Sequence, residues 1–290
     1  MKRRLLSLLL LACLLFTCCT ACRAVEKTDV PSPDPAPQVP SALQEKQPLL
    51  ILMYHNFTED DSETTSVTIT AEKFEQDILW LKEHGYTFLL PQDWLDILAG
   101  RRERPAKPVM LTFDDGYLSN YTLAYPILQR HNAKAVISVV VSTIGKMENK
   151  FTWAQAREMV QSGLVDIQSH TYNLHNYLAS GMTSTTIPNG ILPYAAESPT
   201  RYAERLRSDL MTSKRIIERE VGNEVFFLCF PFGERHDWAD PVLEECGFTM
   251  TCVTGQGEGN AGDPQFNLVR YNVDMQTSLP DLVQKNQESG

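Results

Sequence analysis

Short apolar runs of strand length alternate with longer stretches of helical periodicity from residue 49 to about residue 282, and that order limits the possible folds severely. The pattern predicts strands at 49–54, 87–90, 109–113, 135–141, 165–169 and 225–230, with shorter ones at 248–253 and 268–271. Helices are predicted between them at 71–84, 91–99, about 119–130, 153–162, 199–221 and about 238–246. The 71–84 segment shows the basis: Phe74, Ile78 and Leu81 recur at helical spacing, and Thr70 stands before Lys73 as a cap. Strands separated by helices join through crossovers and so lie parallel. The expected architecture is a mostly parallel α/β sheet, closed or nearly closed into a barrel, in one large domain without an internal repeat.

In such a fold the chemistry gathers at the carboxyl ends of the strands, because the loops there vary while the sheet holds them still. Thr112-Phe113-Asp114-Asp115-Gly116 lies at such an end, directly after the apolar run Pro108-Val109-Met110-Leu111. Adjacent residues leaving a strand point to different sides, so Asp114 and Asp115 need not share one job: one can ligate a metal while the other takes a proton. Taken alone, the stretch also reads as an ordinary Asp-Asp-Gly turn with solvated acids.

A second strand end weighs against the bland reading. The 165–169 run leads into His170, and His175 follows five residues later. Two imidazoles with one carboxylate make a site for a divalent metal such as zinc, with positions left for water and substrate. Asp115 is the evident carboxylate, since its own strand ends in the same way. His55, ending the first strand, is a third histidine in such a place and is suited to protonate a leaving group. His84 and His131 fall at predicted helix ends and read as structural, whereas His236 is ambiguous.

Residues 1–22 begin with Lys2-Arg3-Arg4, continue as an apolar run and reach Cys19-Thr20-Ala21-Cys22, which resembles a bacterial lipoprotein signal. Cys22 is the expected lipidation site and Cys18 the second choice; a secreted or signal-anchored chain is the alternative. Mass spectrometry of the mature amino terminus decides among them. Residues 23–48 carry six prolines among small and polar residues and read as a semi-rigid linker to a domain at 49–290. The expected location is the outer face of a bacterial membrane. Cys229, Cys246 and Cys252 follow in the domain with no CxxC spacing, so buried apolar cysteines are expected rather than a cysteine metal site. A net charge of −10 and the lack of a basic stripe argue against nucleic acid, and no protein partner is expected.

TFDDG at 112–116, SHTYNLH at 169–175 and CFPFG at 229–233, in this order and spacing, resemble the polysaccharide deacetylase family, the NodB-homology domain of carbohydrate esterase family 4. The resemblance covers essentially the whole of 49–290. It implies a distorted (β/α) barrel with fewer than eight strands, a divalent metal cofactor, with zinc first and cobalt, nickel or iron as alternatives, and an acetylated polysaccharide as substrate. It makes Asp114 the general base, and Asp115, His170 and His175 the metal ligands. The five-residue gap between the histidines and the early Tyr54-His55-Asn56-Phe57 are similar to the subgroup acting on poly-β-1,6-N-acetylglucosamine, in which the histidine matching His55 serves as general acid. The backbone amide of Phe232 is implied as an oxyanion donor. One departure stands out: the arginine usual before the proline of the third motif is missing, with Cys229-Phe230 preceding Pro231. Arg270 is the candidate to steady Asp114 instead. Tyr172, Tyr177, Tyr194 and Trp238 are candidate flat faces for sugars, in or near a long insertion at 176–200, or else core residues. An O-acetyl esterase on xylan or another glycan, and a non-catalytic glycan-binding lipoprotein, are the competing readings.

Overall fold

The computed structural model describes residues 48–175, 190–194, 196–255 and 265–288. Its elements in chain order are β1 (Leu50–Tyr54), β2 (Asn56–Thr58), β3 (Thr68–Thr70), α1 (Ala71–Glu83), β4 (Thr87–Phe88), α2 (Pro91–Leu98), β5 (Pro108–Asp114), α3 (Tyr125–His131) and β6 (Ala135–Val139). There follow α4 (Trp153–Gln161), β7 (Val165–Ser169), α5 (Pro199–Val221), β8 (Phe227–Cys229), α6 (Asp240–Glu245), β9 (Met250–Thr254), β10 (Leu268–Asn272) and α7 (Leu279–Glu288). Cys22, the linker at 23–47, Tyr177 and most of the insertion lie outside the described residues. No helix among the described residues is long and apolar enough to cross a membrane.

The sheet closes on itself. β1, β10, β9, β8, β7, β6 and β5 are neighbours in that order, and β5 returns to β1, all in parallel pairings. The barrel therefore has seven strands, and the expectation of fewer than eight is met. The short β4 is an eighth, outside the ring. It pairs with Pro108 and Val109 at the start of β5, on the edge that β6 occupies from Leu111 onward.

Strand periodicity sorts the core into two bodies. Leu50, Leu52, Tyr54, Val109, Leu111 and Phe113 point outward and join the helices in one apolar cluster. Ile51, Met110, Val136, Phe227, Cys229, Met250, Cys252 and Leu268 fill a separate cluster inside the barrel. Cys229, Cys246 and Cys252 are indeed buried free thiols. Outside, Phe74 of α1 closes a group of four aromatic rings with Tyr54, Phe57 and Phe113, at centroid separations of 4.9–6.2 Å. Four of these six pairs meet edge to face, and aromatic pairs contribute about 0.5–1.5 kcal/mol each beyond area burial. They brace the strand on which Asp114 stands.

The helices begin where their caps dictate. Thr70 accepts from the Lys73 amide at 3.1 Å to open α1. Ser198 caps α5, Pro199 takes its first position, and Gly222 ends it in a left-handed conformation. The segment expected as one helix at 119–130 instead opens with a π-turn, Asn120–Ala124, before α3. Pro126 has no amide hydrogen to continue a regular ladder there. Three-residue β2 and β3 are additions to the expected elements, because so short a strand carries no readable alternation, and α7 adds a ten-residue helix at the end of the described residues.

Candidate metal centre

Residues Thr112 and Asp114 face the barrel interior, while Phe113 between them faces α1. Strand alternation would send Asp115 the opposite way from Asp114. It does not, because Asp115 adopts a left-handed backbone, φ 72°, and swings its carboxylate back over the barrel mouth. Both carboxylates then approach one imidazole: Asp114 Oδ2 lies 3.9 Å and Asp115 Oδ1 3.8 Å from His170 Nε2. Gly116 completes the turn at φ 72°, where a Cβ would sit 2.6 Å from Ile144 Cδ1. The glycine of TFDDG is thus required both by backbone angle and by space.

Three of the six non-glycine residues with positive φ among those described lie in the three motifs: Asp115, Thr171 at 74° and Phe232 at 57°. Each such residue costs on the order of 1–3 kcal/mol, and the cost persists only where surrounding structure enforces it. Thr171 is the most strained in kind, being β-branched. Its hydroxyl accepts from the Leu174 amide at 3.0 Å and its carbonyl accepts from the Val141 amide at 3.2 Å. Gly233, next to Phe232, would place a Cβ 2.5 Å from the Thr254 nitrogen, so the chain after β8 can approach β9 only through glycine.

His170 follows β7 and is almost wholly buried. Its Nδ1 donates to the Cys229 carbonyl at 2.7 Å, which fixes the tautomer and leaves Nε2 as a lone-pair donor. Burial pulls the imidazole down to about 4, against the opposing pull of the Asp114 and Asp115 carboxylates. His170 should therefore be neutral, with its proton on Nδ1, in nitrogen-15 spectra of the metal-free chain at pH 6; a protonated ring at that pH would contradict the assignment. His175 Nε2 comes within 3.3 Å of Asp115 Oδ1, and its ring lies 4.4 Å from that of Phe232. One donor atom from each of Asp115, His170 and His175 fits within 4.8 Å of the others. Asp115 Oδ1 is buried and makes no hydrogen bond. An orphaned carboxylate oxygen facing two imidazole nitrogens suits a divalent cation, so the residues fit the ion that the motifs imply.

Asp114 is held differently. Arg270 on β10, separated from β5 only by β1, reaches it inside the barrel with both terminal nitrogens, at 2.7 and 2.8 Å, and also donates to Thr112 Oγ1 at 3.1 Å. Thr112 in turn donates to the Leu52 carbonyl at 3.0 Å. Burial would push the Asp114 carboxyl up, but the Arg270 charge, with help from His170, holds it well below the usual carboxylate range. Asp114 and Asp115 thus end in different environments: one is paired and ionised, the other points an unsatisfied oxygen at nitrogen ligands. His55 lies at the same mouth. Burial lowers its pKa while Asp114 and Asp115 raise it, and its Nδ1 is buried without a partner.

The remaining candidates scatter. The ring of Tyr172 is part-buried against the outer core. Tyr194 lies under the Arg205 guanidinium at 3.9 Å. Trp238 is exposed at 37% and meets His236 and Tyr202 edge to face. His84 bonds to the Trp80 carbonyl and His131 to Glu75, both away from the site. Sequence reading passed over Lys150, buried 3.5 Å above the Tyr117 ring and within the field of Asp115. It also passed over Asp209, whose carboxylate binds the loop between the two histidines. A charged residue on an amphipathic helix gives no sign of where it will dock.

Comparison with known proteins gives a consistent picture. Residues 101–251 match the family described as polysaccharide deacetylase. The poly-beta-1,6-N-acetyl-D-glucosamine N-deacetylase of Escherichia coli (strain K12) is 28% identical over 292 residues, covering 92% of this chain. The chain spans only 43% of the length of that relative. YxkH of Bacillus subtilis (strain 168) is 27% identical over 289 residues, 94% of either chain. Among solved structures, a de-N-acetylase from Aggregatibacter actinomycetemcomitans superposes with a TM-score of 0.71 at 30% identity, covering 82% of this chain and 99% of that one. IcaB from Ammonifex degensii does so with a TM-score of 0.67 at 26% identity, covering 83% and 97%.

Proposed function

The chain belongs to the polysaccharide deacetylase family, and from that premise we propose that it is a metal-dependent N-deacetylase of a polysaccharide containing N-acetylglucosamine, with a β-1,6-linked polymer favoured. The observation that carries this reading is the clustering of Asp115, His170 and His175 beside a buried, arginine-paired Asp114. A simple glycan binder has no use for that set. The linkage preference is supported by the named Escherichia coli relative, by the five-residue histidine gap, and by the absence of a histidine at 267–271 together with the presence of His55.

Asp115, His170 and His175 would hold the ion. A divalent cation, zinc among the candidates, lends Lewis acidity to the acetyl carbonyl and to the attacking water. Asp114 accepts the proton of that water; Arg270 keeps it ionised and fixes both of its oxygens. The Phe232 amide is assigned to the developing oxyanion, where a preset donor is most effective. His55 protonates the departing amine; its lowered pKa makes its protonated form a stronger acid than free imidazolium. The products are a free glucosamine unit and acetate.

The test is acetate release by the purified chain from β-1,6 and β-1,4 N-acetylglucosamine oligomers and from acetylated xylan, before and after chelation and after zinc or cobalt is restored. Release from the β-1,6 oligomer that chelation stops and metal restores is expected. Release from xylan alone would replace the proposal with O-esterase activity, and binding without release from any of the three would favour a binder.

A further inference from the structure

The two histidines are fixed by different means. His170 is anchored by the Cys229 carbonyl and by the end of its own strand. His175 hangs at the far end of a loop that begins with the strained Thr171. The backbone amides of Tyr172 and Asn173 lie in that loop with no strand to receive them. Both point at one carboxylate on α5: Tyr172 N donates to Asp209 Oδ1 at 2.7 Å and Asn173 N to Oδ2 at 2.9 Å.

Asp209 is part of a stripe along α5. Ser213, one turn further on, pairs its hydroxyl with that of Ser169 at 2.7 Å, directly before His170. Arg205, one turn earlier, donates to the carbonyls of Gly190 and Leu192 and to Glu197, where the chain returns from the insertion. Residues at i, i+4 and i+8 share one helix face. The stripe thus tracks the end of β7, the loop between the ligands, and the exit of the insertion in turn. Burial raises the Asp209 carboxyl, and with the two amides and Arg205 pulling it back it still stands at about 6, so its backbone bonds offset only part of the cost of burying the charge.

We propose that Asp209 is a positioning residue for the metal centre: by accepting both amides it holds the 171–174 loop in its strained form and so keeps His175 Nε2 opposite Asp115 Oδ1. Both of its carboxylate oxygens are engaged by those amides, so it acts on the metal centre through the loop. Without Asp209 the loop keeps the bonds from the Val141 and Ser142 amides and the Leu174 bond to Thr171 Oγ1. The Tyr172 and Asn173 amides lose their acceptor, however, so the third ligand is held less firmly while Asp115 and His170 stay. The inference rests on the metal-centre reading above, and the experiment separates the two. Zinc affinity of the full chain is measured by competition with a chromophoric chelator, for wild type, Asp209→Asn and Asp209→Ala. Wild-type protein that binds no zinc removes the metal reading itself. If wild type binds, both variants are expected to lose about 10–100-fold in affinity, the range seen for lost outer-shell partners. The asparagine amide can accept one backbone bond but sets an NH₂ against the other. A folded Asp209→Asn protein with zinc affinity within about twofold of wild type would overturn the proposal. Should the variants not fold, hydrogen exchange of the wild-type metal-free chain serves: the Tyr172 and Asn173 amides are expected to be protected, and exchange at the rate of an open loop would overturn it equally.

Discussion

Asp114→Asn is expected to lower acetate release by about 10³-fold, the middle of the range for loss of a general base. Bound metal should remain, because the donor atoms proposed for it belong to Asp115, His170 and His175. The substitution preserves size and one acceptor for Arg270 but removes the charge and the basicity. Metal analysis beside turnover distinguishes this outcome from collapse of the site. Full activity in the metal-loaded variant would overturn the assignment of Asp114; loss of metal and activity together would shift Asp114 into the ligand set.

Arg270→Gln is expected to have the largest effect on stability. Arg270 and Asp114 are 1% and 2% exposed, and a buried carboxylate that loses its partner costs on the order of 3–5 kcal/mol. For a domain of this size that corresponds to a fall in melting temperature of about 10 °C. The sign with pH follows from the direction of the Asp114 shift. A depressed carboxylate contributes stability above its unfolded pKa and loses it as pH falls through the folded one. With Arg270 gone, burial dominates, the Asp114 carboxyl rises, and that contribution disappears at neutral pH. The base is then ionised only in more alkaline solution, so residual activity should be lower at pH 6 than at pH 8 relative to wild type. Calorimetry and a pH–rate profile check the two halves. A variant with unchanged melting temperature and unchanged profile would mean that something other than Arg270 keeps Asp114 charged.

The same pair shows why some of the site was readable and some was not. TFDDG announces itself, since an apolar run, two acids and a glycine stand together in the chain. Arg270 lies 156 residues from Asp114 and could be named only as what remained when the usual motif arginine was missing. Its contact exists because β5 and β10 flank β1 in the closed sheet, and closure is a property of all seven strands. Asp209 was invisible for a related reason. On α5 it is one polar residue among many, and only the docking of that helix against β7 gives its carboxylate two amides to bind. The divergence expected of adjacent aspartates failed because a left-handed residue cancels the alternation of a strand, and φ is not written in an Asp-Asp-Gly stretch. What the chain determined by itself is therefore local: the alternation of elements, the bounds of α5, the residue types at the strand ends and the glycines that let two turns form. What only the tertiary structure decided is which charges meet inside the barrel. Short-range periodicity can be read along the chain, whereas a buried ion pair between distant strands is settled only when the sheet closes and no water remains to satisfy either partner.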